Sequence, residues 1–245
     1  MINCSFQPFD AEILLGPVYR LELDSPEALP CLSDHVPEDA ILVSLRIPSD
    51  WPAPDPSTGF RLIETTVQLR RDPDPADADE IAAEIRVALG DDADACAEIA
   101  RAVFIADRYH ADPMVDDRLA DELKEAWARN DVNGRADRTF VWEDADTVCG
   151  FVGCVMSDHA MTIDLIAVGD GHQGRGIGRA LLGAAFSHYL REGECREFLI
   201  ATQADNLGAL ALYKSLGFAE TGRLKTYHFT PAPIKHGSVE IASVS

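Results

Sequence analysis

The stretch Met161–Phe186, "MTIDLIAVGDGHQGRGIGRALLGAAF", constrains this chain more than any other part of it. An aliphatic run ends at Val168, and glycines recur at 169, 171, 174, 176 and 178. A helical pattern follows, with Leu181, Leu182, Ala185, Phe186 and Tyr189 on one apolar side. Strand, glycine turn and helix in that order leave backbone N–H groups free at the helix start. Glycine lets a ligand come close to that backbone, and the helix dipole adds partial positive charge there. The combination suits phosphate. No Gly-Lys-Ser/Thr follows, so the turn is not a Walker loop. A dinucleotide-binding fingerprint fits poorly, because the pattern begins with Gln173 after three strand-like stretches.

Charge sharpens this reading. The chain has 42 acidic residues against 21 Lys and Arg, a net of -21. Such a surface repels nucleic-acid polymers and anionic membranes, so neither is expected as a partner. Yet the 21 residues from Gly171 to Arg191 contain no acid, where the chain average would place three to four. They carry Arg175, Arg179 and Arg191 instead. One segment has been kept free of the prevailing charge. Nothing in the sequence approaches a membrane-spanning apolar run, and Met1–Cys4 shows no secretory leader, so a cytoplasmic protein is expected. The cysteines at 4, 31, 96, 149, 154 and 195 form no CxxC pair and have no histidine at zinc spacing. They read as reduced, mostly buried thiols, and no metal is expected.

Two Pro-rich segments suggest boundaries: 48–59, and the acidic hinge "RDPDPADADE" at 71–80. The expected organisation is an N-terminal half-domain over 1–70, an acidic linker over 71–90, a main domain over 91–230 and a loose tail over 231–245. In the first part, Val18–Leu23 and Leu62–Leu69 alternate as strands. The string "GFRLIETTVQL" there is echoed by "GFAETGRLKTYHF" near the C-terminus, either by coincidence or as a half-domain repeat. In the main domain, helices are expected over 93–104, 118–130, about 178–191 and 207–216. Strands are expected over 139–142, 148–155, 161–168 and 198–203, with a terminal pair between 218 and 229. The class is α/β or α+β, with a mixed sheet.

A second motif completes the first. In "ATQADNLGALALYKSLGF", Asn206 can cap the following helix, Tyr213 projects from the same side two turns on, and Gly217-Phe218 ends the helix. Gln173, Gly176 and Gly178, together with Asn206, Ala209, Tyr213, Gly217 and Phe218 in register, resemble the GCN5-related N-acetyltransferase (GNAT) superfamily over about 140 residues. The resemblance implies the GNAT fold, here preceded by a smaller degenerate GNAT-like half-domain. It also implies acetyl-CoA as co-substrate. The backbone of Gln173, Gly174, Arg175, Gly176, Ile177, Gly178 and Arg179 would hold its pyrophosphate. The strand end Ile166-Ala167-Val168 would pair with the pantetheine arm, which Asn206 would also contact. Tyr213 would be the general acid toward the leaving thiolate.

The acceptor is less defined. Ribosomal-protein alanine acetyltransferases carry a glutamate five residues before the motif asparagine, and here that position is Ala201. Ala201-Thr202-Gln203 and the N-terminal segments look more like the dTDP-fucosamine acetyltransferases, although the glycine loop is longer than theirs. That resemblance implies a nucleotide-linked amino-deoxy sugar as acceptor, a role in polysaccharide biosynthesis and a homodimer. The alternatives are a protein N-terminus or another small amine, or a non-catalytic acyl-CoA sensor, against which the intact Tyr213 argues. Arg108, Tyr109 and His110 are candidates to face the acceptor. No secure base stands out: His110, His159, His172, Asp164 and Asp205 are candidates, directly or through water, but each reads first as structural or solvated. Trp127 reads as core rather than as a sugar platform.

Overall fold

The computed structural model describes residues 1–78, 81–193 and 195–237. In chain order the elements begin with β1 (Ile2–Phe6), α1 (Pro8–Ile13), β2 (Val18–Leu23), β3 (Leu42–Pro48), β4 (Arg61–Arg71) and β5 (Ile85–Val87). Then follow α2 (Ala93–Val103), α3 (Asp117–Asn130), β6 (Arg138–Asp144), β7 (Thr147–Ser157) and β8 (Ala160–Val168). The last are α4 (Ile177–Glu192), β9 (Glu197–Gln203), α5 (Leu207–Ser215) and β10 (Ala219–Phe229). The chain divides into two compact units. Unit 1 contains Met1–Thr66, Ala106–Leu123 and Gly222–Ser245, and unit 2 contains Val67–Ile105 and Lys124–Thr221.

This division differs from the consecutive blocks expected from the sequence. Three of its four boundaries fall inside β4, α3 and β10 and the fourth just after α2, none of them in the Pro-rich segments. The acidic stretch 71–90 is not a bare linker either, because Ile85–Val87 pairs antiparallel with Phe140–Trp142. Asp79 and Glu80 lie outside the described residues, as does 238–245 of the expected tail. The nearer part of that tail is tied down by a bridge between Ile234 and Val115. The expected terminal strand pair is one long strand, β10, which passes through Gly222 without a turn.

In unit 1, β1 and β2 pair antiparallel, β2 and β3 pair parallel (Val18 with Leu42 through Leu21 with Leu45), and β3 and β10 pair antiparallel. Leu21, Val43, Leu45, Ile47 and Tyr227 fill one face with Leu29, Leu32 and Phe60. Alternation along a strand sends Arg20, Ser44, Arg46 and Thr226 to the other face.

In unit 2, β5, β6, β7 and β8 pair antiparallel in succession, and β8 pairs parallel with β9. The apolar side of α4 (Leu181, Leu182, Ala185, Phe186, Tyr189) packs into a core with Val152, Met161, Ile163 and Phe198. The opposite face carries Cys96 and Ala100 of α2 against Val141, Phe151, Leu165 and Ala167. Trp127 is partly buried against that second core, with the Lys124 ammonium 4.1 Å from its ring centroid. No helix among the described residues is long and apolar enough to cross a membrane.

Candidate active site

Two local departures from regular structure build the site in unit 2. The first is the separation of β8 from β9. Their pairing runs from Ala160 with Glu197 to Ile163 with Ile200. Among the described residues it does not continue along Asp164–Val168, although both strands do. The edge of Ile166-Ala167-Val168 that would face β9 is therefore open. A bulge lies on the other edge at the same point. Gly153 of β7 pairs with Leu165 and Cys154 with Ile163, so Asp164 is an extra residue on β8. Such a bulge bends and twists the strand that carries it.

The second departure is the glycine turn. Gly174 and Gly176 have φ of 75° and 85°, in the left-handed region that side chains rarely adopt. A Cβ at either would meet nothing within 4 Å, so glycine is required by the backbone conformation and not by crowding. Gly176 begins α4 with no side-chain cap and no acid in the first turn. The N–H groups that an α-helix leaves free there are the donors a pyrophosphate needs. The Gln173 side chain holds the turn to the strand, its Nε2 donating to Val168 O at 3.0 Å. Arg175 contacts His172 at 3.1 Å and Asp144 at 3.4 Å, while Arg179 donates to Ser215 Oγ at 2.5 Å.

Asn206 and Tyr213 enter through α5. Asn206 Oδ1 accepts from Ala209 N at 3.1 Å, so it caps the helix with its oxygen and leaves its amide hydrogens without a partner among the described residues. A Cβ on Gly178 would lie 3.6 Å from Leu212 and 3.8 Å from Val168, so the start of α4, the end of β8 and the residue before Tyr213 converge. Tyr213 is 4% exposed, and burial pushes its hydroxyl up to about 12. These residues fit acetyl-CoA on the chemistry of the donor set: an open strand edge, a glycine turn aimed by a helix N-terminus, and a buried phenol.

The acceptor candidates lie in unit 1. Tyr109 is 1% exposed and donates to Asp10 Oδ2 at 2.5 Å. His110 is held at both ring nitrogens, 2.7 Å from Asp107 and 3.1 Å from Asp121. The Asp107 contact raises its pKa and favours imidazolium, a poor base. Of the three, Arg108 lines a cavity. Among the other base candidates, His159 and Asp205 are exposed, and His172 is engaged by Arg175. Asp164 is paired with Arg135, which also bridges to Asp131.

Two buried clusters are not apparent from the sequence. Asp131 is fully buried, with Oδ2 lacking a partner among the described residues. A Cβ on Gly153 would collide with that oxygen, so glycine makes room for the acid. Burial, with the neighbouring Asp164 charge, raises its carboxyl to about 7 despite Arg135. In unit 1, His228 Nδ1 lies 2.8 Å from Asp112 Oδ2, and its Nε2 is buried without a partner among the described residues. Burial lowers the His228 pKa, which keeps the imidazole neutral. Burial works against ionised Asp112, but hydrogen bonds from His228 and Arg61 outweigh it and bring it to about 2.

Residues 94–218 match the family model described as Acetyltransferase (GNAT) family. The chain is 32% identical over 140 residues to the spore coat polysaccharide biosynthesis protein SpsD of Bacillus subtilis (strain 168), covering 57% of this chain and 48% of that one. It is 42% identical over 82 residues to a mycothiol acetyltransferase of Kocuria rhizophila, covering 31% and 27%. The matched part thus spans about half or less of these curated relatives. A crystal structure described as a GNAT-family acetyltransferase from Novosphingobium aromaticivorans shares the fold, with TM-score 0.59 at 16% identity over 87% of this chain and 83% of that one.

Proposed function

The chain belongs to the acetyltransferase (GNAT) family, and on that premise we propose that it moves an acetyl group from acetyl-CoA to the amine of a nucleotide-linked amino-deoxy sugar. The observation that carries the donor half is the ladder of β8 and β9, which stops after Ile163 with Ile200 beside a left-handed glycine turn. In this reading the pantetheine amides bond to the open edge of Ile166–Val168 and the pyrophosphate takes the N–H groups of Gln173–Arg179. The acceptor half is supported by the similarity to SpsD, a protein named for spore coat polysaccharide biosynthesis.

The reaction joins the acceptor nitrogen to the acetyl carbon and breaks the carbon–sulfur bond. The amine sheds one proton and the thiolate gains one. A hydroxyl titrating near 12 stays protonated at neutral pH. Full transfer to a thiolate whose conjugate acid titrates near ~8.5 runs uphill, so Tyr213 acts mainly by hydrogen-bonding the sulfur as its charge develops. Tyr213 keeps its proton, and the one the thiolate finally gains is balanced by the one the amine sheds.

Incubation with acetyl-CoA and a panel of dTDP-linked amino sugars tests the proposal. Thiol release with a gain of one acetyl group on a sugar is expected. Release with none of the sugars, but with a peptide N-terminus or another amine, overturns the acceptor assignment.

A further inference from the structure

Unit 1 holds a cavity of about 220 Å³ lined by Arg20, Ser44, Arg46, Arg108 and Thr226, with Glu22 also in the lining. Register explains how the strand residues meet: Arg20 stands opposite Ser44, and Arg46 opposite Thr226, on the face turned away from the apolar core. Arg108 is brought there by the segment that follows α2. Two of the three guanidinium groups have a carboxylate each. Arg108 lies 3.6 Å from Asp10 and donates to Tyr109 Oη at 3.0 Å. Arg46 lies 4.0 Å from Glu64 and donates to Thr226 Oγ1 at 3.3 Å, while Thr226 donates to Glu64 at 3.2 Å.

Arg20 is different. It is half-buried, and its guanidinium makes no hydrogen bond or ion pair among the described residues. Glu22, two residues along the same strand face, is exposed and forms no ion pair with it. Burial of Arg46 disfavours its charged form, and the neighbouring Arg108 and Arg20 charges act in the same direction, with Glu64 offsetting part. A chain with a net charge of -21 therefore gathers three cations around one hollow and leaves one of them unpaired. A bound anion with two or more oxygens would relieve that repulsion and use the planar fork of each guanidinium.

We propose that this cavity binds the diphosphate of the acceptor nucleotide, with Arg20 as the principal contact and Arg46 and Arg108 beside it. The assignment rests on the nucleotide-sugar reading for the identity of the ligand, and its test can fail separately from that reading.

The full chain is first saturated with CoA, which fills the glycine turn, and is then titrated calorimetrically with inorganic pyrophosphate, dTDP and malonate. Binding of pyrophosphate and dTDP at one site is expected, with malonate much weaker. Arg20→Gln should weaken pyrophosphate by roughly ten- to a hundredfold, as loss of a charge-assisted contact does. Arg20→Lys, which keeps the charge and loses the fork, should fall between. Arg20 holds no side-chain partner among the described residues, so the variant should fold, and an unchanged CoA affinity checks this. Absence of pyrophosphate binding, equal binding by all three proteins, or malonate binding as tight as pyrophosphate overturns the cavity assignment. If pyrophosphate binding is lost in Arg20→Gln while no nucleotide sugar is acetylated, the cavity stands and the acceptor reading falls. If nucleotide sugars are acetylated with an unchanged KM in Arg20→Gln, the cavity falls and the acceptor reading stands.

Discussion

The glycine turn of unit 2 and the arginine cavity of unit 1 both suit an anion, but by different physics. The turn offers backbone N–H groups and a helix dipole, within ten consecutive residues that contain one acid, Asp170. The cavity uses side-chain charge collected from β2, β3 and the segment after α2. A backbone site depends on conformation and tolerates any side chain that leaves φ intact. A guanidinium site depends on residue identity and is more readily screened by salt.

Substitutions can break the comparison from either side. The largest effect is expected at Tyr213. Tyr213→Phe should lower kcat about 10²- to 10³-fold with little change in acetyl-CoA affinity, read by steady-state kinetics and calorimetry. Because burial raises that hydroxyl to about 12, wild-type kcat should show no falling limb from Tyr213 below pH 10. Next is Gly176→Ala. A left-handed φ of 85° costs an L-residue ~1–2 kcal/mol, so the KM for acetyl-CoA should rise about tenfold while pyrophosphate binding by unit 1 is unaffected. Salt sharpens the contrast less strongly. Between 0.05 and 0.5 M NaCl, roughly spanning Debye lengths from 14 to 4 Å, dTDP affinity should fall more steeply than CoA affinity.

The smallest effect concerns stability in unit 2. Asp131 titrates near 7 in the folded chain and near ~3.9 when unfolded. The folded state therefore binds the extra proton between those values. The cost of burying the carboxylate is absent below pH 4, grows through 7 and is constant above it. Asp131→Asn should raise the melting temperature relative to wild type more at pH 8 than at pH 4.5, by a few degrees in a thermal scan. An equal shift at both values would mean that Asp131 is not forced toward its neutral form.

The same contrast explains what the sequence reveals. The left-handed glycine turn and the Asn206 cap were legible because their conformational demands lie in short runs at the starts of α4 and α5, and β2 follows its alternation over Val18–Leu23. β3 was not apparent, because its end coincides with Pro48 and the prolines after it. β5 is only three residues and gains its identity from pairing with β6. The bulge at Asp164 is a property of strand register and leaves no mark in residue type. Arg20, Arg46 and Arg108 meet only through parallel and antiparallel register, and Asp112 and His228 are 116 residues apart. Local conformational demands are written in contiguous residues, whereas side-chain clusters appear only once strands are paired.

The most direct test is a crystal of the full chain soaked with CoA and dTDP together. The account predicts the CoA pyrophosphate on the N–H groups of Gln173–Arg179 and the dTDP diphosphate within hydrogen-bond reach of Arg20 and Arg46. Finding the dTDP diphosphate on the glycine turn, or no nucleotide in the arginine cavity at saturating dTDP, would contradict it.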